Sequence, residues 1–351
     1  MRYYESDLYK KELQEIWESS DFGKVLQDRT LVITGARGLI GSELIDAVMS
    51  ANDCHGLNCK MYGVVRNMEA ARERFGRYED TGYFRLIQAD INRDDIRIDG
   101  EIDFFIHGAS NTHPVYYARR PIETIRTNTV GTDRALQFAA DHHCRRFLFL
   151  SSVEVYGENR GDADSFPETY LGYIDSNTLR AGYPEGKRLG ETLCQAYMAE
   201  LGLDCVLPRI SRSYGPGLLK EDSKALSQFI GKALGREDIV LKSRGDQLYS
   251  YIYVADVVSA LLFLLAHGKK GEAYNLSGAK SDITLRELAQ YLAGLAGTKV
   301  TFEIPEETEA AGYSKATKAV LDTAKITALG WRSRYPIREG IKRTLELQRI
   351  H

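Results

Sequence analysis

Between Thr30 and about residue 210, short apolar and β-branched runs alternate with stretches whose apolar positions recur every three or four residues. The runs at 31–34, 62–65, 84–89, 103–107, 146–152 and 204–210 predict buried strands. The segments 40–50, 120–142 and 185–201 predict helices between them. Strand–helix alternation of this kind predicts an α/β fold, a doubly wound parallel sheet with helices on both faces. After Gly215-Pro216-Gly217 the rhythm loosens. Helices near 222–235, 254–267 and 284–296, with a short strand at 274–276, predict a smaller C-terminal lobe. Ahead of the first strand, Leu8, Leu13, Ile16, Trp17, Val25 and Leu26 lie among charges and predict one or two amphipathic helices. The expected organisation is an N-terminal helical extension (1–29), a dinucleotide-binding domain (30–210) and a substrate-binding lobe (211–351), the two lobes interleaved around one cleft.

Composition narrows the function. The chain has 351 residues, with 46 Lys and Arg against 49 acidic residues and a net charge of −3. That balance gives no basis for nucleic-acid binding or a polybasic membrane surface. The five cysteines are odd in number and scattered, which points to a reducing, cytoplasmic setting. Cys54 and Cys59 lack a second pair at ligand spacing, so no metal site is expected. The N-terminal segment is too charged for a signal peptide, and the run from Val257 to Ala266 is far too short to span a membrane.

The chemistry begins at Thr34. Gly35, Gly38 and Gly41 directly follow a strand and open a helix, the arrangement of a tight turn whose backbone approaches a pyrophosphate at the positive end of a helix. Arg37, Leu39 and Ile40 belong to the same turn. The acid that often follows the second strand to hold a ribose 2′-hydroxyl is absent, and Arg66 stands there. With Arg37, it favours NADP over NAD as the cofactor. Asp90, followed by Ile91, either meets the adenine or caps the next turn. Ser151 and Ser152 end a further strand, and Glu154 follows within reach of the same cleft. Tyr183 and Lys187, four apart, share one helical face, so an ammonium can sit beside a phenol and lower its pKa. Such a pair suits removal of a hydroxyl proton while a nicotinamide takes the hydride.

The order TGxxGxxG, Ser-Ser-Val-Glu-Val-Tyr-Gly (151–157) and YxxxK resembles the extended short-chain dehydrogenase/reductases, the NAD-dependent epimerase/dehydratase family. The resemblance covers roughly 30–345, and the segments PIETIRTNTVGT (121–132), RAGYPEGKRLGET (180–192) and DSKALSQFI (222–230) are most similar to UDP-glucuronate decarboxylases. It implies a Rossmann sheet, NAD or NADP, a nucleotide-sugar substrate and a homodimer formed through the helices near 120–142 and 185–201. It implies Ser152, Tyr183 and Lys187 as the catalytic core with Glu154 assisting, Asn128 as a structural or relay residue, and Ala109, Ser110 and Ser151 as cofactor neighbours. Arg212, Gln228 and Tyr249 are the substrate-side candidates.

Three positions depart from the family pattern. Val153 stands where dehydratases carry Asp and decarboxylases usually Ser. Arg212 stands in place of a substrate-binding Asn, and Tyr249 in place of a diphosphate-binding Arg. If both of the last two face the diphosphate, the charge has been relocated. The expected reaction is oxidation of a sugar C4 hydroxyl, a second step on the ketone, and return of the hydride. Decarboxylation fits best, 4-epimerisation is the alternative, and 4,6-dehydration is disfavoured because valine cannot supply a proton. A non-catalytic NAD(P)-binding protein is the reading from another class.

Overall fold

A computed structural model describes residues 2–18, 23–112, 119–219, 222–303 and 317–350. The large sheet is built from β1 (Thr30–Thr34), β2 (Lys60–Val65), β3 (Phe84–Gln88), β4 (Phe104–His107), β5 (Arg146–Phe149), β6 (Ser151–Ser152) and β7 (Cys205–Ile210). Three strands of the later chain, β8 (Arg212–Tyr214), β9 (Ile239–Leu241) and β10 (Leu248–Tyr253), leave it. They are followed by β11 (Ala273–Leu276), β12 (Asp282–Thr284), β13 (Val300–Phe302) and β14 (Lys318–Ala319). The large sheet has the order β11-β7-β5-β4-β1-β2-β3, with β6 paired to β7. All of its pairings are parallel. The order reverses between β1 and β4, which opens a crevice at the carboxyl ends of those strands.

The predicted strands and helices are present, with differences at their joints. The stretch expected as one strand at 146–152 breaks at Leu150 into β5 and β6, and the helix expected over 120–142 breaks at Thr129 into Pro121–Asn128 and Val130–Asp141. The short strand expected in the C-terminal lobe is instead the edge strand β11 of the large sheet, in register with β7 from Ala273↔Leu207 to Leu276↔Ile210. Helix Val254–His267 returns to the same body, packing against helix Leu39–His55 and against β5 and β7. Its nearly uninterrupted burial explains why periodicity could not assign its face. The smaller lobe keeps β12-β10-β14 with β8 beside β10, the β9/β13 pair, and helices Ala225–Leu234 and Leu285–Ala296.

The N-terminal extension forms helix Asp7–Trp17 and a turn of helix at Gly23–Leu26, with residues 19–22 outside the described set. Ser6 caps the first helix by accepting from the Tyr9 N–H. Tyr9, Glu12, Leu13 and Ile16 are buried against helices Leu39–His55 and Val254–His267. The extension therefore braces the outer face of the helix that begins at the glycine-rich turn.

Candidate active site

A cleft of about 1440 Å³ runs from the glycine-rich turn, past the ends of β4 and β6, to β8, β9 and β10. Its floor is set by close backbone approach. Gly35 has φ of +73°, and a Cβ there would lie 2.6 Å from the Gly108 carbonyl oxygen; one at Gly41 would lie 2.5 Å from that of Gly35. Only glycine allows both contacts. Helix Leu39–His55 starts at Gly38 with no side-chain cap, so its first N–H groups face the cleft beside a turn free of side chains. This cradle fits a dinucleotide pyrophosphate. Thr34 fixes the neighbouring strand end: its Oγ1 accepts from the Gly108 and Ala109 N–H groups at 3.2 Å and lies 2.8 Å from His107 Nδ1.

At the end of β6, Ser152 lies in hydrogen-bonding contact with the Tyr183 hydroxyl. Ser152 also caps the turn Val153–Tyr156, accepting from the Glu154 N–H at 3.3 Å. Burial pushes the Tyr183 phenol up to about 12, the Ser152 hydrogen bond opposes that rise, and the Glu154 charge adds to it. Lys187 is buried one helical turn after Tyr183. Its Nζ is 6.0 Å from the Tyr183 ring centre and 4.7 Å from that of Phe149, and it donates to the Leu150 carbonyl at 2.8 Å. The break between β5 and β6 exposes that carbonyl. Burial brings the Lys187 ammonium down to about 8, against the pull of Glu191.

Of the cofactor-side residues, Gly35, Arg37, Gly38, Leu39, Ile40, Gly41, Arg66, Asp90, Ile91, Ala109, Ser110 and Ser151 line the cleft. Several of these residues, and Asn128 behind them, have partners within the protein. Asn128 is buried, accepting from the Ser110 hydroxyl and donating to the Thr124 carbonyl, both at 2.9 Å, so its amide orders the wall. The Ser151 hydroxyl is committed to Glu191, which in turn grips Arg209 through two hydrogen bonds. Asp90 does cap its turn, accepting from the Asn92 N–H and from Arg93 Nε at 3.0 Å each. Arg66 is joined to Glu123 at 3.0 Å.

On the substrate side, Arg212 and Tyr249 meet. The strands are neighbours, with Tyr251 opposite Arg212, and the Arg212 guanidinium lies 3.5 Å from the centre of the Tyr249 ring. Arg212 Nη1 is buried, and no hydrogen-bond partner reaches it among the described residues. Both residues line the cleft, as does Gln228, whose amide donates to the Asp222 carbonyl. Val153 is buried and presents no polar atom. Sequence reasoning missed Arg180, which lines the cleft 3.7 Å from the Glu154 carboxylate. Its position three residues before Tyr183 was the available signal, since that spacing puts both on one side of the chain as the helix begins.

The sequence matches the NAD dependent epimerase/dehydratase family over residues 31–277. It is 32% identical to UDP-glucuronic acid decarboxylase 1 of Xenopus tropicalis, over 90% of this chain and 71% of that one. It is 30% identical to UDP-glucuronic acid decarboxylase 3 of Arabidopsis thaliana, over 89% and 86%. Among solved structures, a UDP-glucose 4-epimerase from Thermotoga maritima aligns with a TM-score of 0.77 at 22% identity, over 92% of this chain and 99% of that one. A dTDP-glucose 4,6-dehydratase from Streptomyces venezuelae aligns with a TM-score of 0.76 at 24% identity, over 92% and 97%. The glycine cradle, the Ser152–Tyr183 contact and these matches together establish that the chain belongs to the NAD dependent epimerase/dehydratase family.

Proposed function

We propose that this enzyme oxidises the C4 hydroxyl of UDP-glucuronate, releases carbon dioxide from the resulting 4-ketone, and reduces the product to a UDP-pentose. The observation that carries the redox half is the buried Tyr183 hydroxyl held against Ser152 in the cleft that begins at the glycine cradle. Decarboxylation as the middle step is supported by the two relatives, which bear that activity in their names and align along most of this chain. Val153 argues against dehydration, because the acid needed to expel a C6 hydroxyl is missing there.

In this mechanism Tyr183 takes the O4 proton while Ser152 steadies the oxygen. A bound oxidised dinucleotide would supply the reversible hydride acceptor for C4 and a positive charge that favours the phenolate. Gly35, Gly38 and Gly41 would hold its pyrophosphate, with Ala109 and Ser110 beside it. With C4 a ketone, the C5–C6 bond breaks and its electron pair flows into the carbonyl, leaving an enolate at O4 that Tyr183 and Ser152 hydrogen-bond. Glu154, oriented by Arg180, guides protonation at C5. Lys187 anchors the helix under Tyr183 through Leu150. Arg212, packed on the Tyr249 ring, supplies the diphosphate with the cation that position 249 lacks.

The exposed apolar residues Ile122 and Ile125 on helix Pro121–Asn128 and Leu189 on helix Gly182–Leu201 support a homodimer through these two packed helices. Five free thiols accord with a reducing, cytoplasmic setting.

The test is mass spectrometry of the enzyme with UDP-glucuronate beside UDP-glucose and dTDP-glucose. Loss of carbon dioxide from the uronate alone supports the proposal; an unchanged mass with inverted C4, or loss of water, replaces it with epimerisation or dehydration. Tyr183→Phe is expected to lower kcat by roughly 10²- to 10⁴-fold with dinucleotide affinity preserved. Full turnover by that variant removes the residue from the mechanism.

A further inference from the structure

The carboxyl end of the second strand is where a dinucleotide fold receives the adenosine ribose. An acid there accepts the 2′-hydroxyl and repels a 2′-phosphate, whereas an available arginine welcomes the phosphate. Arg66 follows β2 directly and lines the cleft. Its guanidinium, however, is already joined to a carboxylate. Arg66 Nη1 lies 3.0 Å from Glu123 Oε1, and the other Glu123 oxygen takes Arg120 at 3.4 Å.

Glu123 lies in the first turn of helix Pro121–Asn128, and Thr127, one turn later, lines the cleft and accepts from Asn92 at 3.0 Å. That helix therefore faces the adenosine end. A second carboxylate, Asp90, is close enough to feel the Arg66 charge. Partial burial pushes Asp90 up, but the Asn92 N–H, Arg93 and the Arg66 charge outweigh it and hold the group below the usual carboxylate range. A 2′-phosphate dianion arriving at Arg66 would meet a guanidinium already neutralised by Glu123, with Asp90 close by. A 2′-hydroxyl carries no charge and can donate to a carboxylate.

We propose that Glu123 determines selection of NAD over NADP, supplying from the helix the negative charge that the end of β2 lacks. This rests on the dinucleotide reading of the site and reverses what Arg66 alone predicts. The test is titration calorimetry of the full chain with NAD and with NADP, in the wild type, Glu123→Gln, and Glu123→Gln with Arg66→Ala. The wild type is expected to bind NAD about tenfold or more tighter than NADP. Glu123→Gln is expected to tighten NADP relative to NAD by about tenfold, and adding Arg66→Ala removes the gain. Glu123 is partly exposed and its amide replacement keeps the shape, so an unchanged melting profile beside the titrations reports an intact fold. Equal wild-type affinity for the two dinucleotides, or an unchanged ratio in Glu123→Gln, overturns the proposal while leaving the site a dinucleotide site. Binding of neither overturns both.

Discussion

The joint between the N-terminal helix and the dinucleotide fold contains a carboxyl pair whose protonation can be measured. Glu12, on helix Asp7–Trp17, and Glu43, on helix Leu39–His55, are fully buried and in hydrogen-bonding contact. Their outer oxygens are satisfied: Glu12 Oε2 accepts from the Tyr253 hydroxyl at 2.8 Å and from Arg343 at 3.3 Å, and Glu43 Oε2 from the Tyr9 hydroxyl at 2.8 Å. Their Oε1 atoms have no donor among the described residues. A shared proton turns two facing acceptors into one hydrogen bond. Burial pushes Glu12 up to about 7 against the pull of Tyr253 and Arg343, while burial and the Glu12 charge push Glu43 well up. Nearby, Arg74 and Arg77 bind Asp46, and Glu15 shares Arg343. Because the folded Glu12 keeps its proton longer than the unfolded one, folding takes up a proton between about pH 4.5 and 7. Stability is therefore full below that window and falls as pH rises through it, by about 3 kcal/mol. For 351 residues that loss corresponds to a Tm change of about 4 °C. Buried Asp256, also pushed up to about 7, contributes with the same sign, so the diagnostic quantity is the difference between variant and wild type. Glu12→Gln places a permanent donor toward Glu43 and keeps an acceptor for Tyr253. Denaturation followed from pH 5 to 8.5 should give matching stabilities at the acid end and a more stable variant at the alkaline end. Parallel profiles, or a variant weaker at pH 8, would refute the shared proton.

The remaining predictions concern the cleft. Arg212→Ala should raise the Kd for a UDP-sugar by about tenfold to a hundredfold, the worth of a charge-assisted hydrogen bond, and leave dinucleotide affinity unchanged; equal loss of both places Arg212 outside the diphosphate site. Gly41→Ala forces a methyl to within 2.5 Å of the Gly35 carbonyl oxygen, so calorimetry should show dinucleotide affinity falling by about tenfold or more while the melting profile stays cooperative. Ile122→Glu combined with Leu189→Glu should convert a dimer to a monomer in light scattering; an unchanged mass moves the interface elsewhere.

The framework was legible because parallel strands buried on both faces leave uninterrupted apolar runs, and because Gly35 and Gly41 meet steric demands that no other residue satisfies. What the sequence hid depends on contacts between distant segments. Spacing placed Lys187 one turn from Tyr183, but could not show that the sheet breaks at Leu150 and draws the ammonium to that carbonyl. It could not show that Arg66 is paired with Glu123, which lies 57 residues away on another element. Residues 254–276 read as part of the second lobe, since a fully buried helix has no polar face to show which way it turns. The amphipathic pattern of the N-terminal segment gave no sign that Glu12 is buried against Glu43.

The same dependence on pairing explains the two departures at 212 and 249. Taken singly, the loss of an arginine at 249 weakens a diphosphate site and the gain of one at 212 adds a charge of unknown use. In the structure the gained guanidinium lies on the ring that fills the lost position, 3.5 Å from its centre, with β8 and β10 holding the two in register. Among the described residues nothing accepts from the buried Arg212 Nη1, and a buried donor without an acceptor costs about 1–3 kcal/mol. A nucleotide diphosphate placed there would supply the missing acceptors, so the penalty in the free enzyme becomes selectivity for an anionic ligand. Tyr249 adds what an arginine could not: a flat apolar surface that fixes the orientation of its neighbour. On this argument Tyr249→Leu, which keeps the volume apolar but removes the aromatic face, weakens UDP-sugar binding by loosening Arg212, and Tyr249→Phe leaves it intact.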